Sequence, residues 1–306
     1  MSHQHWTNYW QSGVQTSLPQ DFKHNYDGEI YDQWTHVVDR LASGSKVTDL
    51  CTGNGAVALL LAEIALKQHK TLEITAIDIS QINIKSITAN NPVEQTDMIQ
   101  FISQTPVEQL ESVLSARQDA IVSQFGLEYS DLTMTAKAIK HCLKPEGRLS
   151  FIAHCHDGAV FDYMDIEQSI YRWFRDIGIF NLIEAFVWGQ ETANGLKNKM
   201  MSIVQKHQPN PIFMGHDLFK SWQSTLTQII KQPNQQLNNQ KQALGQFLAQ
   251  HRAAWKRLED MLNVSTKVAE DNWFQPFIKA GFSLKKTETL HYKNQHLVGQ
   301  FYDFSH

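Results

Sequence analysis

Cysteine is scarce in this chain of 306 residues: Cys51, Cys142 and Cys155 are an odd and widely scattered set. That excludes the disulfide framework of a small secreted domain. Long apolar runs are missing too, and no stretch is long enough to span a bilayer. The opening Met-Ser-His-Gln-His-Trp has neither the basic nor the apolar region of a signal peptide. Positive charge is in short supply, with 27 Lys and Arg against 31 Asp and Glu, a formal net charge of −4 and no Lys/Arg run. A nucleic-acid partner would favour the opposite balance. What is present, 42% hydrophobic and 19% charged residues, is the composition of a globular protein able to bury a large core. Together these features predict a cytoplasmic protein.

Between residues 46 and 154 short apolar runs alternate with helical patterns. Strands are expected near 46–50, 72–78, 98–102, 118–124 and 147–154, and helices near 55–68, 80–90, 106–116 and 131–144. Such alternation predicts an α/β fold, a mostly parallel sheet wrapped by helices on both faces. Ahead of it, Ile30, Trp34, Val37, Val38 and Leu41 predict a helix over 29–43. Residues 1–28 carry Trp6, Tyr9, Trp10, Phe22 and Tyr26, while Gly13, Ser17 and Pro19 interrupt any long helix. After His154 the alternation stops. Helical spacing of apolar residues recurs over 163–178, 216–231 and 241–262, with a Gln/Asn-rich polar loop expected at 232–242. A helix near 266–280 and two strands, 282–292 and 296–304 with a turn near Asn294, complete the pattern. No internal repeat is evident.

The stretch that organises this pattern is Lys46 to Ala58. Val47–Leu50 reads as a buried strand, Ala56–Ala65 as a helix, and Thr52-Gly53-Asn54-Gly55 joins them. The glycines allow a sharp turn and close approach of a ligand to the backbone, and the helix start offers free N–H groups. Residues 72–78 give a second strand ending in Asp78, whose carboxylate suits a ribose diol. In these residues the chain resembles the class I S-adenosylmethionine-dependent methyltransferases. Their first motif is acidic-x-Gly-x-Gly-x-Gly: Asp49 matches the acid, Gly53 and Gly55 the later glycines, and Cys51 stands where the first glycine usually falls. The resemblance continues through Gln100–Gln104, Asp119-Ala-Ile-Val-Ser-Gln-Phe-Gly-Leu-Glu-Tyr and Leu143-Lys-Pro-Glu-Gly-Arg-Leu-Ser-Phe-Ile. Four motifs in order are far more specific than a glycine turn alone.

The resemblance implies a seven-stranded doubly wound sheet with an antiparallel C-terminal strand pair. It implies three parts: an N-terminal arm and helix (1–45), a cofactor-binding domain (46–154 with 266–306), and a helical cap over the active site inserted at 155–265. S-adenosylmethionine is the implied cofactor, with Asp49, Cys51, Thr52, Gly53, Asn54 and Gly55 meeting its methionine part. Asp78 would hold the ribose, Ile79 would lie against the adenine, and Gln104 would border it. Ser123, Gln124 and Phe125 follow the fourth strand and should border the methyl group. Glu128, Tyr129 and His154 are the candidates for contact with the acceptor or for a general base. His154 and His156 on extended backbone point the same way, but two ligands do not make a metal site, so no metal is expected. Ser17, Tyr26 and Asp27 are polar candidates in the arm. In the cap, Trp173, Trp188, Trp222, Trp255, Met200 and Met201 read first as its own core, and as an apolar pocket only second. Tyr171, Arg172 and Arg175 are candidate carboxylate anchors.

The expected function is methyl transfer to a small-molecule acceptor, mainly by positioning the nucleophile. That acceptor class rests on the large insertion, the acidic balance and the missing Asn-Pro-Pro-Tyr/Phe signature of enzymes that methylate adenine or amide nitrogens. The alternatives are an RNA or protein methyltransferase, and a non-catalytic binding module with the same fold. A nucleotide-dependent oxidoreductase is disfavoured by the glycine offsets. A homodimer burying the aromatic cap is possible on composition, with nothing in the sequence to fix it.

Overall fold

The computed structural model describes residues 3–17, 22, 24–292 and 296–306. It divides into two compact units, residues 1–156 with 264–306, and Asp157–Asn263. The first unit opens with α1 (Gln4–Gln11) and α2 (Gly28–Asp39), then β1 (Ser45–Leu50), α3 (Ala56–Lys67), β2 (Leu72–Ile77), α4 (Ile84–Asn90), α5 (Val93–Thr96) and β3 (Ile99–Ile102). It continues through β4 (Gln118–Gln124), α6 (Leu132–Cys142) and β5 (Leu143–Ala153). In the second unit lie α7 (Gly158–Asp176), α8 (Ile179–Val187), α9 (Ala193–Lys206), α10 (Asp217–Lys231), α11 (Asn234–Asn239) and most of α12 (Lys241–Val268). The first unit resumes within α12 and closes with α13 (Gln275–Lys279), β6 (Ser283–Tyr292) and β7 (His296–Ser305).

The seven strands form one sheet in the order β3-β2-β1-β4-β5-β7-β6. The first five are parallel; β7 runs antiparallel to β5, and β6 antiparallel to β7. This is the α/β sheet with an antiparallel C-terminal pair that the alternating pattern and the resemblance imply. Strands covered on both faces need apolar residues throughout, and β1, β2 and β4 carry Val47, Leu50, Ile74, Ile77, Ile121 and Val122, all buried. One core packs α2 and α3 on the sheet through Ile30, Trp34, Leu59 and Leu60; the other packs α6 and α13 through Ile139, Phe151, Phe277 and Phe304. Chain order reverses between β1 and β4, so their carboxyl ends flank the crevice where open α/β sheets bind ligands.

The helical unit has a separate core around Trp222, Phe174, Phe180, Phe186, Phe219 and Met200, with Trp173 and Trp255 packed against it. Trp188 and Met201 are exposed instead. Tyr171 is buried with its hydroxyl 3.1 Å from His251 Nδ1, and Arg175 pairs with Asp176 and lies over the Trp255 ring. The aromatic stripe of this unit therefore serves mostly as its own core. No helix among the described residues is long and apolar enough to cross a membrane.

Several local expectations shift. The Gln/Asn-rich segment contains α11, because Leu237 is fully buried and anchors a turn of helix that its polar neighbours solvate. The helix expected near 266–280 is the end of α12 followed by α13; between them Asn272 adopts a left-handed φ of 58°, which no continuous helix admits. Residues 107–112 form a 3-10 segment with a non-helical Gln109. The helix after β2 starts only at Ile84, where the Asn83 side chain accepts the Ser86 N–H as its cap. β5 begins at Leu143 rather than 147, with a register shift against β4 between Gln118 and Ala120. Pro19 and the turn near Asn294 lie outside the described residues.

One polar cluster ties these layers together. Asp303 of β7 is 1% exposed. It accepts hydrogen bonds from Arg40 at the end of α2 (2.8 Å), from Arg148 of β5, and from the Ser150 hydroxyl (2.7 Å). Burial alone would push this carboxyl up, but the bonds from Arg148, Ser150 and Arg40 outweigh it and hold it below the usual carboxylate range. The stabilisation is therefore fully present above pH ~4 and is lost as pH falls through the lowered folded value. Asp303→Asn is expected to lower stability at pH 7 by about 2–4 kcal/mol, since it leaves two arginines without their buried partner. Urea melts of both proteins from pH 7 down to 2.5 check this: the difference between them should shrink on acidification, and a constant difference would refute it.

Candidate active site

The turn after β1 is built on left-handed backbone at Cys51 (φ 56°), Gly53 (φ 56°) and Gly55 (φ 76°). Glycine adopts this at no cost; Cys51 does not, which explains why glycine is usual at its position in the family it resembles. Two carboxyls hold the turn from below. Asp49 is 1% exposed, and its Oδ2 accepts the Thr52 hydroxyl (2.5 Å) and the Ala58 N–H (3.1 Å), joining the strand end to the start of α3. Its Oδ1 has no hydrogen-bond partner. Asp78, also buried, accepts the Gly53 N–H (2.8 Å) on one oxygen and the Ser80 N–H (2.7 Å) on the other.

Burial pushes both carboxyls up. Asp49 reaches about 7, against the pull of the Thr52 and Ala58 bonds and helped by the charge of Asp78. For Asp78 burial outweighs the Ser80 and Gly53 bonds and the charge of His3. The Cys51 thiol is raised by burial and then by Asp78, Glu128, Asp49 and Glu108. Among the described residues no Lys, Arg or His acts on Asp49, whereas the charge of His3 acts on Asp78. A carboxyl buried without a counter-ion, as Asp49 is, makes a site complementary to a cation.

The remaining residues implied for the cofactor fall around this turn in different ways. Gln104, again left-handed at φ 57°, donates its N–H to Ser80 O, and Thr105 donates to Asp78 O, so the loop after β3 is stitched to the end of β2. The side chains of Ile79 and Gln104 are exposed. Ser123 points inward and donates to Leu50 O (2.8 Å), tying β4 to β1. Gln124 turns toward α2, where its Oε1 accepts the Trp34 N–H (2.7 Å) and its Nε2 is left without a partner. Asn54 reaches the arm: its Nδ2 donates to Trp10 O (2.8 Å) and Val14 O (2.6 Å), and its Oδ1 accepts the Asn83 N–H.

That contact belongs to a larger one made by the aromatic arm, which the resemblance implies either covers the cofactor and substrate or packs on the domain as a structural arm. Helix α1 rests on the turn, and a Cβ added at Gly53 would come within 2.5 Å of the Trp10 ring. Thr7 accepts the Gln81 N–H, and Gln11 donates to Gln81 O. Trp6 packs edge-on against Tyr129 with centroids 5.7 Å apart. The aromatic excess of the arm was the visible signal; the particular residues it meets were not. Of the arm's polar candidates, Ser17 bonds the Tyr26 hydroxyl and Asp27 is exposed at the start of α2.

Glu128, Tyr129 and His154 converge. Glu128 is fully buried, and its Oε1 accepts the His154 N–H (2.8 Å) and lies 2.6 Å from His154 Nδ1. A carboxylate only accepts, so the ring hydrogen sits on Nδ1 and the lone pair on Nε2. The Phe125 ring (4.7 Å) and the Tyr129 ring (5.8 Å) flank the imidazole. Lys267, at the end of α12, donates to Glu128 O (2.6 Å); 139 residues separate them, and no local pattern announces the contact. His156 goes elsewhere, to Ser265 (3.1 Å). Among the described residues no group of three His, Cys, Asp or Glu is placed to hold a metal ion.

The profile of a methyltransferase domain matches residues 22–199. No curated protein matches the chain. Solved structures with a similar backbone include TrmN from Thermus thermophilus (19% identity over 40% of this chain and 37% of that one, TM-score 0.34). Others are the putative methyltransferase complexed with the Haloferax volcanii Trm112 activator (19% over 56% and 74%, TM-score 0.38) and a putative methyltransferase from Bacillus halodurans (16% over 46% and 60%, TM-score 0.35). The chain thus spans little more than a third of the Thermus protein, and likenesses this distant add nothing to the profile match. That match covers more than half of the sequence and includes the glycine turn, Asp78 and the Glu128–His154 pair: the chain belongs to the methyltransferase domain family.

Proposed function

We propose that the chain transfers the methyl group of S-adenosylmethionine to a small-molecule acceptor in the cytoplasm. The observation that carries this is the glycine turn over two buried carboxyls, of which Asp49 has no ion-pair partner among the described residues and an unsatisfied Oδ1. A ligand with a sulfonium and an ammonium at one end and a ribose at the other fits that set. When bound, it supplies a methyl group already activated for displacement. The Gly53–Gly55 turn would hold its methionine part, Asp49 beneath the turn would answer the cationic end, and Asp78, which holds the turn through Gly53 and Ser80, would meet the ribose. Ile79 and Gln104 border the adenine. The exposed side chains of both suit a ligand lying across them.

Catalysis then rests mainly on alignment. Where the acceptor arrives protonated, His154 Nε2 takes the proton, while Glu128 fixes the ring by its bond to Nδ1 and balances the imidazolium that forms. The Phe125 and Tyr129 rings flank the imidazole and limit its orientations. The preference for a small molecule is part of the same proposal, which the acidic balance and the absence of Lys/Arg runs support.

Calorimetric titration tests the cofactor: S-adenosylmethionine and S-adenosylhomocysteine should both bind saturably, and Asp78→Ala should weaken both at least ~10-fold by releasing the turn. No binding by the folded protein would move the reading to a non-catalytic module. Once an acceptor is found by screening metabolites, His154→Ala should cut turnover by about 100-fold or more and leave the cofactor Kd within about threefold. Unchanged turnover would remove His154 from the reaction.

A further inference from the structure

Asp49 is enclosed at the end of β1, and every ionisable group that faces it is an acid. Asp78 approaches from the end of β2 and the Cys51 thiol from its own turn; the carboxyls of Glu128 and Glu108 act on that thiol from the segments after β4 and β3. His3, ahead of α1, bears on Asp78 through its charge. Two neutral groups bind Asp49, the Thr52 hydroxyl and the Ala58 N–H, and both use Oδ2. Oδ1 is left buried with nothing to donate to it. A carboxylate in that place carries an uncompensated buried charge next to a second one; a carboxylic acid does not.

We infer that Asp49 is a carboxylic acid in the free protein and gives up its proton when the cationic end of the cofactor binds. The reading rests on S-adenosylmethionine as the ligand of this turn. In the exchange the Oδ1–H bond breaks, the electron pair stays on Oδ1 and the proton goes to solvent water. The sulfonium and ammonium then supply the counter-charge that the protein withholds. Burial sets the ordinary protonation of Asp49 near neutrality, at about 7, so the exchange operates in the accessible pH range. Below that value the ligand must expel a proton to bind, and its affinity falls with pH. Above it the carboxylate is already formed and affinity levels off.

The exchange distinguishes ligands by charge. S-adenosylhomocysteine keeps the ammonium and lacks the sulfonium, so it expels less. Adenosine has neither cation and expels none.

The test is calorimetry of the full chain at pH 6 in two buffers of different ionisation enthalpy. The difference counts the protons released per ligand. S-adenosylmethionine should release close to one, S-adenosylhomocysteine fewer, and adenosine close to none. The Kd for S-adenosylmethionine should be roughly tenfold weaker at pH 6 than at pH 8. Asp49→Asn should abolish both the release and the pH dependence; should that variant fail to fold, the proton count of the unaltered protein decides. Binding of S-adenosylmethionine with no proton release and a flat Kd between pH 6 and 8 would overturn the exchange alone. No binding of it by the folded protein would overturn the cofactor assignment and the exchange with it.

Discussion

Two carboxyls shut away from water set the form of the whole carboxyl edge. Asp49, through Oδ2 alone, and Asp78, through both oxygens, accept the N–H groups of Ala58, Gly53 and Ser80 and the Thr52 hydroxyl. In doing so they lash the ends of β1 and β2 to the start of α3. A basic side chain in their place of need would settle the charge and fill the crevice. The chain instead leaves Asp49 without a basic partner, with one oxygen unsatisfied and its carboxyl pushed up to about 7 by burial. Stability and function pull in opposite directions here, as they do wherever a binding site is built into a core.

Backbone strain gathers at the same edge. Of the residues other than glycine with left-handed φ, Cys51 follows β1, Gln104 follows β3 and Phe125 follows β4. Each such residue costs energy that the surrounding sheet must supply, and such residues cluster where a ligand dictates the path of the chain. Each does a definite job in the local architecture. Cys51 turns the chain into the glycine turn; Gln104 returns its N–H to Ser80; Phe125 bonds Ile152 O and lays its ring against His154.

The parallel sheet was legible because buried strands and amphipathic helices alternate with unmistakable period, and the Asp49–Gly55 turn was legible because glycine spacing reports backbone shape directly. What escaped was whatever depends on a distant partner. The Glu128–His154 bond joins two residues that were each singled out, yet nothing local says that one side chain reaches the other. Lys267 was unreadable as a neighbour of the site for the same reason. Ser123 and Gln124 sit at the position the pattern indicates, but their side chains serve Leu50 O and Trp34, a choice made by packing. The helix in the Gln/Asn segment turns on one buried leucine, Leu237, which composition averages away.

The place of β7 has a consequence for how the chain comes together. It pairs with β5 on one side and β6 on the other, so the strand nearest the C-terminus of this sequence lies inside the sheet and not at its rim. Residues 154–295 lie between β5 and its partner, and they include the whole helical unit. While a ribosome makes them, the outer edge of β5 stands bare, with Phe151 and Leu149 beside it, and offers its amides to any extended segment nearby. The helical unit, continuous in sequence and furnished with its own core, is free to fold in that interval. The sheet therefore closes late and by long-range pairing, a route that is slow and exposed to misassembly.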